Sequence, residues 1–192
     1  MRILIIDNNS LHLDKLIAQI RLFSQTTPTV KKFDAITLAD YTNYDGIILS
    51  GGSDILSVNK GSNAVYASEI ALVKKYKKPI LGICLGFQII AHTFGEALEK
   101  REKRCGEVII TIKRRDVLCE AIPKQFSAYE AHKWFLPKTT FLTTLATSSD
   151  GVEILRHPTR NIYGVQFHPE VEIEEKNAKL ILKNFIEQIV NK

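Results

Sequence analysis

The chain has 192 residues, 45% of them hydrophobic, enough to bury a full-sized core. Its formal charge of +5 is a mild excess, and the basic clusters Glu99–Arg104 and Lys113–Arg115 lack interleaved aromatics, so they read as solvated faces and no nucleic-acid partner is expected. No apolar run nears the ~20 residues of a membrane span, and three cysteines without CxxC spacing exclude a disulfide framework or zinc site, so a cytoplasmic, metal-free chain with no membrane partner is expected.

Arg2–Asp7 (RILIID) is an apolar run closed by an acid, as in a strand buried on both faces, and it has no leader-like cleavage site. Leu13, Leu16, Ile17 and Ile20 follow at helical spacing. Tyr44–Asp54 holds a second buried run that ends in paired glycines, and Ala64–Tyr76 a second amphipathic helix. Pro79 stops that helix ahead of a third buried run, Ile80–Cys84. Helical spacing resumes over Leu85–Phe94, and Gly95 ends it. This alternation predicts βαβ units and a mainly parallel central sheet.

From Glu107 the pattern changes. The runs EVIITIK, FSAYEA, TFLTTLA, GVEILRH and NIYGVQFH are short and β-rich, which predicts an antiparallel extension. The last of them is apolar enough to enter the main sheet. Ala178, Ile181, Leu182, Phe185, Ile186 and Ile189 form the stripe of a final helix. The expected fold is a single α/β domain over residues 1–192, a three-layer sandwich with helices on both sides of the sheet.

Gly82-Ile83-Cys84-Leu85-Gly86 has the G-x-nucleophile-x-G form between a predicted strand and a predicted helix. In such an elbow the nucleophile takes a strained backbone conformation, and side chains at either flanking position would strike backbone. The thiol then stands at the carboxyl end of the strands, where a helix N-terminus and a nearby imidazole favour the thiolate. The Leu85 N–H is placed to meet an oxyanion. A lone motif of this kind is equally compatible with an inert buried cysteine.

A second motif supplies a base. His168 and Glu170, two apart in an extended segment held by Pro169, point to the same side, so the carboxylate can accept a ring N–H and orient the imidazole. Cys84, His168 and Glu170 then make a nucleophile, base and orienter in that chain order.

Together, PILGICLGFQ and GVQFHPEV resemble the class I glutamine amidotransferases. The resemblance runs from the first strand to the last helix and implies hydrolysis of L-glutamine through a cysteine thioester, with ammonia passed to a synthetase. It implies Cys84 as nucleophile, His168 as general base and acid, and Glu170 as its partner. It further implies that Gln88 contacts the substrate glutamine and that Gly52 or Ser53 gives the second oxyanion donor. Three departures stand out. Ser53 replaces a frequent proline, Glu96 follows Gly95 where small residues are common, and Tyr129–Phe135 (YEAHKWF) differs from the serine-histidine-x-aspartate of GMP synthase members. That segment aligns with a region binding the amino-acid end of the substrate, which makes Lys133 and Trp134 candidates for substrate contact. His132 either faces a partner or is structural.

The compact length and HPEV resemble the separate glutaminase subunit of two-subunit GMP synthases. The alternatives are the anthranilate or aminodeoxychorismate synthase glutaminase, a stand-alone γ-glutamyl hydrolase, and an inactive binding module. With no P-loop motif in the chain, ATP and Mg²⁺ would belong to a separate synthetase subunit.

Overall fold

The computed structural model describes residues 1–37, 41–52 and 65–191. The described strands are β1 (Ile3–Asn8), β2 (Thr29–Lys32), β3 (Gly46–Gly52), β4 (Ile80–Ile83), β5 (Glu99–Ile112), β6 (Gln125–Phe135), β7 (Thr143–Ser148), β8 (Gly151–Arg156) and β9 (Ile162–Val165). The helices are α1 (Leu13–Ser24), α2 (Ala67–Lys75), α3 (Leu85–Thr93) and α4 (Leu180–Asn184). A single 3-10 turn, Asn177–Lys179, leads into α4, and a π-helical stretch, Phe185–Val190, continues it.

All nine strands join one sheet in the order β2-β1-β3-β4-β9-β8-β7-β5-β6. The first five run parallel, and every pairing from β9 to β6 is antiparallel. The expected antiparallel extension is therefore continuous with the parallel block.

Alternate residues of each buried strand serve opposite faces. Ile3 and Ile5 of β1 join the core beneath α1 and the C-terminal helix, together with Leu16, Ile20, Ile181 and Phe185. Leu4 and Ile6 join the core beneath α2 and α3, together with Leu72, Phe87 and Ile89. A fully buried side chain of this size is typically worth ~1.5–3 kcal/mol, so two such cores fix both helical layers. The result is the expected three-layer sandwich.

Two strands differ from the sequence reading. β2 was not foreseen, because its four residues TVKK are mostly exposed and show no apolar pattern. As an edge strand it is held by backbone pairing with β1 (Leu4↔Thr29 to Asp7↔Lys32). β5 begins at Glu99, not Glu107, since the charged run pairs with β6 from Glu99↔Phe135 onward. α3 ends on Gly95 at φ +83°, and the departure at Glu96 has a structural role. The buried Glu96 carboxylate accepts the backbone N–H groups of Thr140, Phe141 and Leu142, clamping the approach to β7.

The placement of β9 decides the site. It lies parallel to β4 with Gly82 opposite Gly164 and Ile83 opposite Val165. The chain therefore leaves both strands at the same carboxyl edge, and the Cys84 N–H donates to the Val165 carbonyl at 2.8 Å.

Candidate active site

Cys84 occupies the turn between β4 and α3 at φ 49°, ψ −97°, in the positive-φ region that non-glycine residues avoid. The flanking glycines make this turn possible. A β-carbon on Gly82 would overlap the Gly86 carbonyl group, and one on Gly86 would overlap the Leu49 carbonyl oxygen of β3. Cys84 is 4% exposed, and its thiol acts electrostatically on the neighbouring His168 ring.

His168 leaves β9 on a backbone bond from its N–H to the Tyr129 carbonyl at 2.8 Å, an isolated bridge to β6. Its Nδ1 lies 2.8 Å from Glu170 Oε1, and both side chains are buried. With Nδ1 engaged by the carboxylate, Nε2 is the nitrogen left for the thiol. Burial alone would lower the His168 pKa. The negative charges of Cys84 and Glu170, with the ring's hydrogen bond to Glu170, outweigh it and hold His168 well above the usual histidine value. The imidazole therefore keeps both of its protons at neutral pH.

The end of β3 approaches the pair from the other side. A β-carbon on Gly52 would overlap Leu85 Cδ2 and reach 2.6 Å from the Asn8 carbonyl oxygen, so only glycine fits there. Leu85 opens α3, and the leading N–H groups of a helix have no partner within it. Leu85 and Gly52 are thus neighbours at the end of β3, and both remain candidate oxyanion donors. Ser53, the other candidate, lies outside the described residues.

A polar brace that sequence reasoning missed stands behind Gly51 and Gly52. The Asn8 N–H donates to Ser50 Oγ at 2.9 Å, and Asn8 Nδ2 donates to the Ser50 carbonyl at 3.1 Å and to Glu69 Oε1 at 3.2 Å. The Ser50 hydroxyl donates to the Gly51 carbonyl at 2.7 Å. Burial pushes the Glu69 carboxyl up to about 8, against the Asn8 bond that lowers it, so it is neutral at pH 7. Its three members come from β1, β3 and α2, and no motif spacing announces them.

Gln88, one turn into α3, donates through Nε2 to the Trp134 carbonyl at 3.3 Å, which joins two of the substrate-contact candidates. Lys133 shares the strand face of Tyr129 and Ala131, opposite to that of Glu130 and His132. His132 is 2% exposed, with Nε2 3.5 Å from Glu130 Oε2, which is a structural position and not a partner-facing one. Beside it Glu130 and Glu153 form a buried carboxyl pair. Burial and the Glu130 charge hold Glu153 well above the usual carboxylate range. In Glu130 the same burial is outweighed by the neighbouring His132 and Glu153, which lower it. Among the described residues no group of His, Cys, Asp and Glu has the arrangement of a metal site. No described helix is long and apolar enough to cross a membrane.

A strained cysteine elbow above a parallel sheet, facing a His–Glu pair, is the arrangement of a thiol-dependent amide hydrolase. The family model of the class-I glutamine amidotransferases matches residues 4–188, so the chain belongs to that family. The glutamine-hydrolyzing GMP synthase subunit of Methanocaldococcus jannaschii is 35% identical over 191 residues, covering 95% of either chain. The subunit of that name from Methanococcus aeolicus is 42% identical over 143 residues, 73% of this chain and 71% of the relative. A solved structure from Thermoplasma acidophilum, described as that of a GMP synthase subunit, superposes with a TM-score of 0.86 at 26% identity, covering 97% of this chain and 92% of that one.

Proposed function

We propose that this chain is the glutaminase subunit of a two-subunit GMP synthase, hydrolysing L-glutamine at Cys84 and passing ammonia to a separate synthetase subunit. The observation that carries the chemistry is the buried His168–Glu170 pair, 2.8 Å apart, beside a cysteine in a strained elbow. Support for the branch comes from relatives named as glutamine-hydrolyzing subunits of GMP synthase, one of them matched over 95% of its length.

In this reading the Cys84 sulfur attacks the side-chain carbonyl carbon of glutamine. The negative charge that develops on the carbonyl oxygen is met by the Leu85 N–H and by the backbone N–H of Gly52. One such donor is typically worth ~3–4 kcal/mol of barrier. The tetrahedral intermediate collapses as His168 Nε2 gives its proton to the departing nitrogen, leaving ammonia and a γ-glutamyl thioester. His168, now neutral, takes a proton from water as the water attacks the thioester, and glutamate leaves with the thiol restored. Glu170 keeps the ring oriented and favours its charged form. Gln88 and the Trp134 backbone hold the amino-acid end of the substrate, and Lys133 borders that end. ATP and Mg²⁺ act on the partner, which performs the amination.

The test is GMP formation by this chain mixed with a GMP synthase synthetase subunit, its nucleotide substrate, ATP and Mg²⁺. The expected result is glutamine-dependent GMP that is lost in Cys84→Ala and restored there by ammonium salts. Full glutamine hydrolysis without any partner, with no GMP from the mixture, would make the chain a free-standing hydrolase. No hydrolysis and no labelling of Cys84 by a glutamine-like diazo-ketone would make it an inactive module.

A further inference from the structure

His12 belongs to neither motif, yet the fold sets its ring against His168. The ring centres are 5.1 Å apart with the planes at 77°, an edge-to-face contact. His12 also meets Tyr129 edge-on at 6.1 Å, and Tyr129 lies 6.3 Å from His168. His168 is thus bonded to Glu170 at Nδ1 and flanked by two aromatic rings. His12 itself is anchored, since its N–H donates to Ser10 Oγ at 3.1 Å and its carbonyl accepts from the Leu16 N–H at 3.0 Å.

We propose that His12 is a positioning residue for the Cys84–His168 pair, whose neutral ring supports the protonated imidazole and whose protonation switches the pair off in acid. The proposal rests on the glutamine-hydrolysing reading above. The groups facing His12 come from three directions: His168 and Glu170 after β9, Lys15 on α1, and Tyr129 on β6, whose hydroxyl meets the Cys105 sulfur of β5 at 3.2 Å. Burial opposes a charge on His12 most strongly, and His168 and Lys15 add to it. Only Glu170 favours the charge, and the pKa lies below the usual histidine value.

His12 is therefore neutral while His168 is charged. An imidazolium edge against a neutral ring is attractive, whereas two imidazolium rings in contact repel. When His12 gains a proton in acid, the Nε2 proton of His168 moves to the Cys84 sulfur. Atoms and charge balance across that step, and the nucleophilic thiolate becomes a thiol.

Two assays are followed from about pH 5 to about pH 9, across the histidine range, in wild type, His12→Phe and His12→Lys. One measures glutamine hydrolysis in the presence of the synthetase. The other measures alkylation of Cys84 by iodoacetamide, read on the Cys84 peptide by mass spectrometry. His12→Phe keeps a ring that does not titrate. Its kcat/KM at about pH 5 relative to that at about pH 8 is expected to rise several-fold over wild type, with the acid limb of alkylation moving to lower pH. His12→Lys carries a charge throughout and is expected to lose about tenfold near pH 8 in both assays.

His12→Phe profiles that superimpose on wild type in both assays overturn the proposal. A shifted alkylation profile without glutamine hydrolysis removes the glutaminase reading and leaves the role of His12 standing. Glutamine hydrolysis with superimposed profiles does the reverse.

Discussion

A β-carbon on Gly51 would come to 2.8 Å from Cε1 of His168, and the Cys84 Cβ stands 3.6 Å from the same point. The bare backbone of residue 51 is therefore what allows imidazole and thiol to meet at the end of β3. Gly51→Ala is expected to push the ring aside and lower kcat by about 100-fold, since a misplacement near 1 Å typically costs that much. Ammonia release with the synthetase present measures the loss. Activity near wild type would show that the ring has room to yield.

Glu170 holds Nδ1 of His168 and supplies one of the two charges that raise its pKa. Glu170→Gln keeps a hydrogen-bond acceptor but removes the charge. Turnover should fall between about 10²- and 10⁴-fold, less than in Cys84→Ala. Because His168 then loses its proton more readily, the alkaline limb of the pH–rate profile should move to lower pH. An unmoved limb would mean that the carboxylate only orients the ring.

The Glu69 brace makes stability depend on pH. Its folded-state pKa of about 8 lies above the ordinary carboxylate value, so the folded chain holds a proton that the unfolded chain has released. That stabilisation is fully present below the ordinary value, falls as the pH rises toward 8, and levels off above it. Glu69→Gln removes the titration. Melting temperatures taken across this range should decline less in the variant than in wild type, and parallel curves would exclude a neutral Glu69.

The three thiols should separate by accessibility. Cys105 is exposed and is expected to react with iodoacetamide in the native chain, as is the nucleophilic Cys84. Cys119 is buried, and burial pushes its thiol up to about 12, so it should react only on unfolding. Native labelling of Cys119 at the rate of Cys105 would contradict the packing around it.

Much of this was legible because its causes are local. The elbow is written in five consecutive residues, since one tight turn demands both glycines, and the orientation of His168 by Glu170 follows from their two-residue spacing. Helices and buried strands showed in their apolar periods. The edge strand β2 did not, because TVKK buries too little to leave a pattern. Nor did the first half of β5, where cross-strand pairing with β6 overrides a run of charge. Asn8, Ser50 and Glu69 were missed for a different reason. Each is an ordinary polar residue on its own element, and only their convergence gives them a task.

What the amino-acid order settled by itself was the helices and the buried strands, the strained cysteine and the acid-backed histidine. The insertion of β9 between β4 and β8 was decided by the tertiary structure alone, and with it the union of Cys84 and His168. So was the arrival of Gly51, His12 and Tyr129 around that imidazole. The physical reason is range: turn sterics and side-chain alternation act over a few neighbouring residues. Strand order is chosen by the burial of both sheet faces at once, and no short segment encodes that.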